Sequence, residues 1–182
     1  MFEIGAVITT LLCVFLLNRK KTLGWLFGVL GAALFFIVFI QEDLFFQSGL
    51  QIVYLGQSIY GWWVWGKDDN IEPKMMNNSD FITHIILATA LTLLIVSLFI
   101  SELGYLNLFL DVLTTLLALL ATYYLSKKII QSWYLWTFIN VLMLALFVLQ
   151  GLWIATGMEI ILLTIAVNAS ISWTKEFKKD IK

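Results

Sequence analysis

Proline, cysteine and histidine each occur once in this chain, and only 13% of its residues are charged. A lone cysteine excludes a disulfide framework within the chain and any cysteine metal cluster, and Cys13 reads as a small apolar packing residue. A lone histidine excludes paired-His metal motifs. His84 also has no serine or aspartate at its depth with which to build a nucleophilic triad. No phosphate-binding loop is present. The formal net charge of −1 gives no basic surface for nucleic acid. Lys and Arg are missing from every long apolar run, which argues against a voltage sensor or a phosphate-conducting pore. An uncharged or cationic solute suits such a chain better than an anion. No catalytic residue, metal ligand or cofactor is expected.

What fills the sequence is hydrophobic side chain, 61% of 182 residues. Soluble domains average about 45–50% apolar and about 25% charged, so the composition predicts a polytopic membrane protein. Seven apolar runs can be drawn: Phe2–Leu17, Leu23–Ile40, Leu44–Trp65, Phe81–Ile100, Tyr105–Leu125, Ile129–Leu149 and Leu152–Trp173. With seven spans, all 11 basic residues fall on one side: Arg19, Lys20, Lys21, Lys67, Lys74, Lys127, Lys128, Lys175, Lys178, Lys179 and Lys182. The other side receives Glu3, Glu42, Asp43 and Glu102. The positive-inside rule then predicts an outer N-terminus and a cytoplasmic C-terminus. The first run has its charges after it rather than before it, which reads as an anchor and not a cleavable signal.

Sliding the chain on itself by 108 positions aligns its two ends without gaps. Glu3 falls on Asp111, Asn18-Arg19-Lys20 on Ser126-Lys127-Lys128, Trp25 on Trp133, Trp65 on Trp173 and Lys67 on Lys175. Spans one to three therefore repeat as spans five to seven. The fourth restores the orientation of the second copy, so the repeats are parallel, and transporters of that kind bind solute between them near the midplane. The division expected is a first triple-helix bundle over 1–66, a cytoplasmic loop and linker span over 67–102, and a second bundle with a cytoplasmic tail over 103–182. Gly66–Asp80, which holds Pro73, reads as a flexible link, and His84 lies near the inner end of the linker span.

Polar groups inside a membrane are costly and normally face the bundle interior or a water-filled path. In the sixth span Trp133, Trp136 and Asn140 lie within about 60° on a helical wheel, placing two indoles and an amide on one face. In the third span Gln47, Gln51, Tyr54, Ser58 and Trp65 share a face, with Gln57 and Gly61 at its margin. Gln51, Tyr54 and Gln57 could line a solute path or join helices; Trp63 and Trp65 read as an aromatic belt at the inner interface. Asp111 heads a stripe with Thr114, Thr115, Ala118 and Thr122, and either attracts a cation or caps its helix. The seventh span carries Asn168, a binding candidate, and Glu159 on a different face in its outer half. Gly24, Gly28 and Gly31, with Ala32 beside them, allow close helix approach in the second span.

Trp133-x-x-Trp136-x-x-x-Asn140, Tyr60-Gly61-Trp62-Trp63-Val64-Trp65, the Lys127-Lys128 pair, Ser132-Trp133 and Leu110-Asp111 together resemble the PnuC-type vitamin transporters along essentially the whole chain. The resemblance implies an all-α membrane protein with seven transmembrane helices in a 3+1+3 arrangement related to the SWEET sugar transporters. It also implies a homotrimer in the bacterial cytoplasmic (inner) membrane. It implies facilitated diffusion of a non-phosphorylated vitamin precursor (nicotinamide riboside, thiamine or riboflavin), without ATP or ion coupling and with later trapping by a cytoplasmic kinase. The motif positions for the two tryptophans and the amide are Trp133, Trp136 and Asn140, with a looser match at Gln51, Tyr54 and Gln57. Indole faces attract a cationic ring by up to about 2 kcal/mol when desolvated. Asn and Gln can pair with a carboxamide and with hydroxyls, whereas a phosphate would want Arg or Lys. A membrane sensor that binds without transporting is the rival class. Trp133 has a counterpart in Trp25 and reads as an architectural anchor. Trp136 and Asn140 fall on Gly28 and Ala32, so the asymmetric pair is the sharper candidate for the binding site.

Overall fold

A computed structural model describes residues 2–43, 45–67, 71–99, 105–149 and 151–180. Glu102 and Lys182, and the side chain of Glu3, which charge placement assigned to the two membrane faces, lie outside the described residues. Among the described residues seven helices follow one another: α1 (Phe2–Asn18), α2 (Leu23–Gln41), α3 (Phe45–Trp65), α4 (Asn78–Phe99), α5 (Tyr105–Ser126), α6 (Gln131–Leu149) and α7 (Trp153–Asp180). Apart from helix, the described backbone holds one isolated parallel bridge, Lys74 to Ile129. Among the described residues five helices, α2 and α4 to α7, are long and apolar enough to cross a membrane. α1 has 17 residues, about 25 Å at 1.5 Å each, slightly short of a hydrocarbon core of about 30 Å. α3 has the length, with 21 residues, but it carries Gln47, Gln51 and Gln57.

The spacing of 108 recurs in the backbone. α2 and α6 start and end 108 residues apart, and α3 and α7 start 108 apart. Lys20 (φ 55°) and Lys128 (φ 64°) both turn the chain through the left-handed region, as do Asp43 (φ 57°) and Gly151 (φ 72°). Such φ values are uncommon for residues with a Cβ, so their recurrence marks one turn geometry used twice. The Lys20 and Lys128 amides donate to the Leu17 and Leu125 carbonyls, each at 3.0 Å. α2 packs on α1 and α3, and α6 on α5 and α7. The halves meet where α1 packs on α7 and α3 on α5, a pair of contacts that exchange under the same offset; α4 packs on α5.

Where the halves meet at the basic end, Trp25, Trp65, Trp133 and Trp173 form the centre of the core, each 1% exposed. Trp25 meets Trp65 edge-on at 5.5 Å, Trp133 meets Trp173 edge-on at 5.6 Å, and Trp65 joins Trp173 at 6.1 Å. The last carbonyls of a helix have no partner within it. Here the Trp65 Nε1–H donates to the Ser126 carbonyl at the end of α5, and the Trp173 Nε1–H donates to the Asn18 carbonyl at the end of α1, both at 3.1 Å. Each half thus caps the other. Trp65 is therefore a core residue and not part of an interfacial belt. Trp63 is exposed, with the Lys67 ammonium 3.2 Å from its ring centroid. Gly61 leaves room for the Trp25 ring: a Cβ there would lie 2.5 Å from it.

Residues 68–70 of the run read as a flexible link lie outside the described residues, but from Ile71 on the segment before α4 is tied down rather than loose. The Lys74 amide donates to the Lys128 carbonyl at 2.8 Å, and the Ile130 amide donates back to the Lys74 carbonyl at 2.9 Å. The Gln131 side chain grips Met76 twice, accepting from its amide at 3.1 Å and donating to its carbonyl at 2.8 Å. Ile71 and Pro73 are buried. A run of polar residues suggested flexibility, but its backbone finds partners on the α5–α6 turn. Lys20, in the equivalent turn of the first half, forms an ion pair with Glu176.

Candidate functional site

A cavity of about 290 Å³ opens between the halves, walled by α1, α2, α3, α5, α6 and α7. Its size is near the lower end of the roughly 300–1,000 Å³ usual for small-molecule sites. Trp25 and Trp133, equivalent positions of the repeat, both line it. So do Gly28 and Trp136, Ala32 and Asn140, Tyr54 and Leu162, Ser58 and Ala166, and Leu17 and Leu125, each pair again 108 apart. The pseudo-symmetry is broken in chemistry. At the paired positions, α3 contributes Tyr54 and Ser58 and α6 contributes Trp136 and Asn140, while their counterparts are Leu162 and Ala166 on α7 and Gly28 and Ala32 on α2, all small or apolar.

The sequence selects these faces by helical spacing. Gln51, Tyr54 and Ser58 stand three and four residues apart, as do Trp133, Trp136 and Asn140, so each trio forms one stripe. Gly28 holds α1, α2 and α3 close: a Cβ there would lie 2.9 Å from Ser58 Oγ and 3.2 Å from Cys13 Sγ. Asn140 is buried, yet no hydrogen bond engages its side chain among the described residues. Its amide is therefore left to a solute or to water. Among the described residues, none that lines the cavity is Lys, Arg, His, Asp or Glu. The wall can stack on a flat ring and exchange hydrogen bonds, but it offers nothing to neutralise a phosphate.

Five of the eight residues proposed from sequence meet at this cavity: Trp133, Trp136, Asn140, Gln51 and Tyr54. Gln57 points elsewhere, its Nε2 donating to the Leu119 carbonyl of α5 at 2.9 Å, so it joins helices. Asn168 and Asp111 are exposed and do not line the cavity. Thr114 bonds back to the Leu110 and Asp111 carbonyls of its own helix. His84 pairs with the Tyr124 hydroxyl at 2.7 Å between α4 and α5, apart from the cavity. Thr10, Phe35, Thr122 and Leu162 also line the cavity; Thr122 lies on the α5 stripe, and the others carry no sequence signal that separates them from ordinary span residues.

A multi-pass helical membrane protein with an uncharged, aromatic and amide-bearing cavity at the junction of its halves is built to hold a small solute. A family model described as nicotinamide mononucleotide transporter matches residues 1–175, and the chain belongs to that family. It is 27% identical to the nicotinamide riboside transporter PnuC of Escherichia coli (strain K12) over 94% of this chain and 84% of that one. The same figures hold for the nicotinamide riboside transporter PnuC of Shigella flexneri. A solved structure described as the vitamin B3 transporter PnuC superposes with a TM-score of 0.74 at 21% identity, covering 96% of this chain and 81% of that chain. At that identity the superposition speaks for the fold.

Proposed function

We propose that this transporter carries nicotinamide riboside, or a closely similar flat nucleoside-like vitamin precursor, by facilitated diffusion. The observation that carries this reading is the cavity itself. Trp136 with Trp133 supplies indole surface for a pyridinium ring, while Asn140, Gln51 and Tyr54 supply donors and acceptors for a carboxamide and ribose hydroxyls. The family description names a mononucleotide and the curated relatives are named for the riboside. The absence of any Lys or Arg among the described lining residues favours the riboside. Thiamine, also a flat cation with a hydroxyl, is the nearest alternative.

The proposed architecture is seven spans in a 3+1+3 arrangement of SWEET type, with bundles over 1–66 and 103–182 joined through 67–102. The shared turn geometry and the exchanged indole caps support it. In such an arrangement two parallel halves rock about a site between them. Lys74 pairs with the turn at Lys128, and Lys127 lies 5.0 Å from the Tyr60 ring, so basic residues from separate loops gather at one end. The positive-inside rule makes that end cytoplasmic, with the N-terminus outside, in a bacterial inner membrane. Association as a homotrimer rests on the family resemblance; α4 leaves Ile82, Ile86 and Leu94 exposed for a neighbour or lipid. A cytoplasmic kinase would trap the solute without contacting the transporter, and no cofactor takes part.

The test is uptake into liposomes that enclose a riboside kinase and ATP. Labelled phosphorylated product should accumulate inside only when the protein is present. Uptake equal to that of protein-free liposomes would refute transport, and saturable binding without uptake would favour a sensor.

A further inference from the structure

We propose that Glu159 is the counter-ion by which this transporter prefers a cationic aromatic solute to its neutral counterpart. The proposal rests on the solute cavity described above. From α3 the cavity is lined by Gln51, Tyr54 and Ser58; their equivalents on α7, 108 residues on, are Glu159, Leu162 and Ala166. Leu162 and Ala166 line the cavity. Glu159 lies within about 60° of both on the helix, and about 4.5 Å outward of Leu162 along its axis. Its helical position thus places a carboxylate just beyond the cavity wall, on the outer side in the orientation proposed.

The Glu159 Oε2 is buried and has no hydrogen-bond partner among the described residues. α7 packs on α1 and α6, and neither of those helices contains a Lys, Arg or His. The nearest basic residue on α7 itself is Lys175, 16 positions further along the helix. A carboxylate inside a span needs a partner, a proton or water, and a cation entering an uncharged cavity needs compensation for lost hydration. No basic side chain on the neighbouring helices meets the first need, and beside the indole faces no carboxylate among the described lining residues meets the second. A solute carrying its positive charge on a ring meets both.

Nicotinamide riboside and its dihydro form test this, because they share ribose and carboxamide and differ in the ring charge. The full-length protein in detergent should bind the cationic compound at least about tenfold more tightly than the neutral one. Unit charges roughly 8–12 Å apart at an effective dielectric of about 20 give about a 10- to 30-fold effect. Glu159→Gln should weaken the cation by that factor and leave the neutral compound unchanged, and Glu159→Asp should keep the preference. A cation-to-neutral ratio that is near one in the wild type, or unaltered in Glu159→Gln, overturns the role of Glu159 while leaving the cavity reading intact. If Glu159→Gln does not fold, a wild-type ratio near one still overturns the proposal, and Glu159→Ala carries the comparison in its place. Wild-type protein that binds neither compound overturns both readings.

Discussion

Replacing Asn140 by alanine separates binding from folding more cleanly than any other change at the cavity. The side chain is 5% exposed and lines the cavity, and no hydrogen bond holds it among the described residues. Its repeat equivalent is Ala32, also on the cavity wall, so the fold already accommodates alanine at this position in one half. The loss should therefore fall on the solute. Two hydrogen bonds to a carboxamide are each worth about 0.5–1.5 kcal/mol, and a solute group left unpaired in a dry site costs about 1–3 kcal/mol. Together these give about 2–6 kcal/mol, a weakening of at least about 30-fold in Kd. Calorimetric titration of nicotinamide riboside into purified protein reads this directly, and thermal unfolding should shift by less than about 3 °C. A Kd within threefold of wild type would show that Asn140 does not touch the solute. A fall in stability of several kcal/mol would show that the amide belongs to the fold.

Trp65→Phe and Trp173→Phe each remove one indole bond, to Ser126 and to Asn18, so both should cost about 1 kcal/mol and similar decrements in Tm. A large difference between the two, measured by thermal unfolding, would contradict the exchanged caps. Gly61→Ala sets a methyl 2.5 Å from the Trp25 ring and should destabilise by about 1–3 kcal/mol or more, whereas Gly56→Ala meets nothing within 4 Å and should be neutral or stabilising in the same assay. Gln131→Ala removes both side-chain bonds to Met76. Amide exchange at Met76 should then speed up by roughly tenfold or more, and an unchanged rate would mean that the Lys74 bridge alone holds the segment.

The repeat was legible because tryptophans and basic clusters are rare enough for a matched spacing to stand out, and the turns at Lys20 and Lys128 follow that spacing. The stripes on α3 and α6 were legible as well, since angular position within a helix follows from residue number. How a helix is rotated against its neighbours does not follow from residue number. Gln57 sat at the margin of the Gln51–Tyr54 stripe, and a modest rotation of α3 turns it to the Leu119 carbonyl of α5. For the same reason Asn168 looked like a deep polar candidate but lies on the exposed side of α7, opposite in role to Leu162 and Ala166. The tetrad of tryptophans was beyond reach: each could be placed near the inner end of a span, but their meeting depends on how the two halves dock. The loop before α4 misled because polarity signals solvation, while its order comes from backbone bonds to a turn distant in sequence.

Counterflow in liposomes isolates facilitated diffusion of the riboside from every other step. Vesicles loaded with unlabelled nicotinamide riboside, with no ion gradient and no ATP, are placed in a trace of labelled compound. Label should accumulate transiently, unchanged by ionophores, abolished by external nicotinamide riboside and left in place by external nicotinamide mononucleotide. Competition by the mononucleotide equal to that by the riboside would contradict a cavity without phosphate-binding groups, and the absence of counterflow would contradict facilitated diffusion.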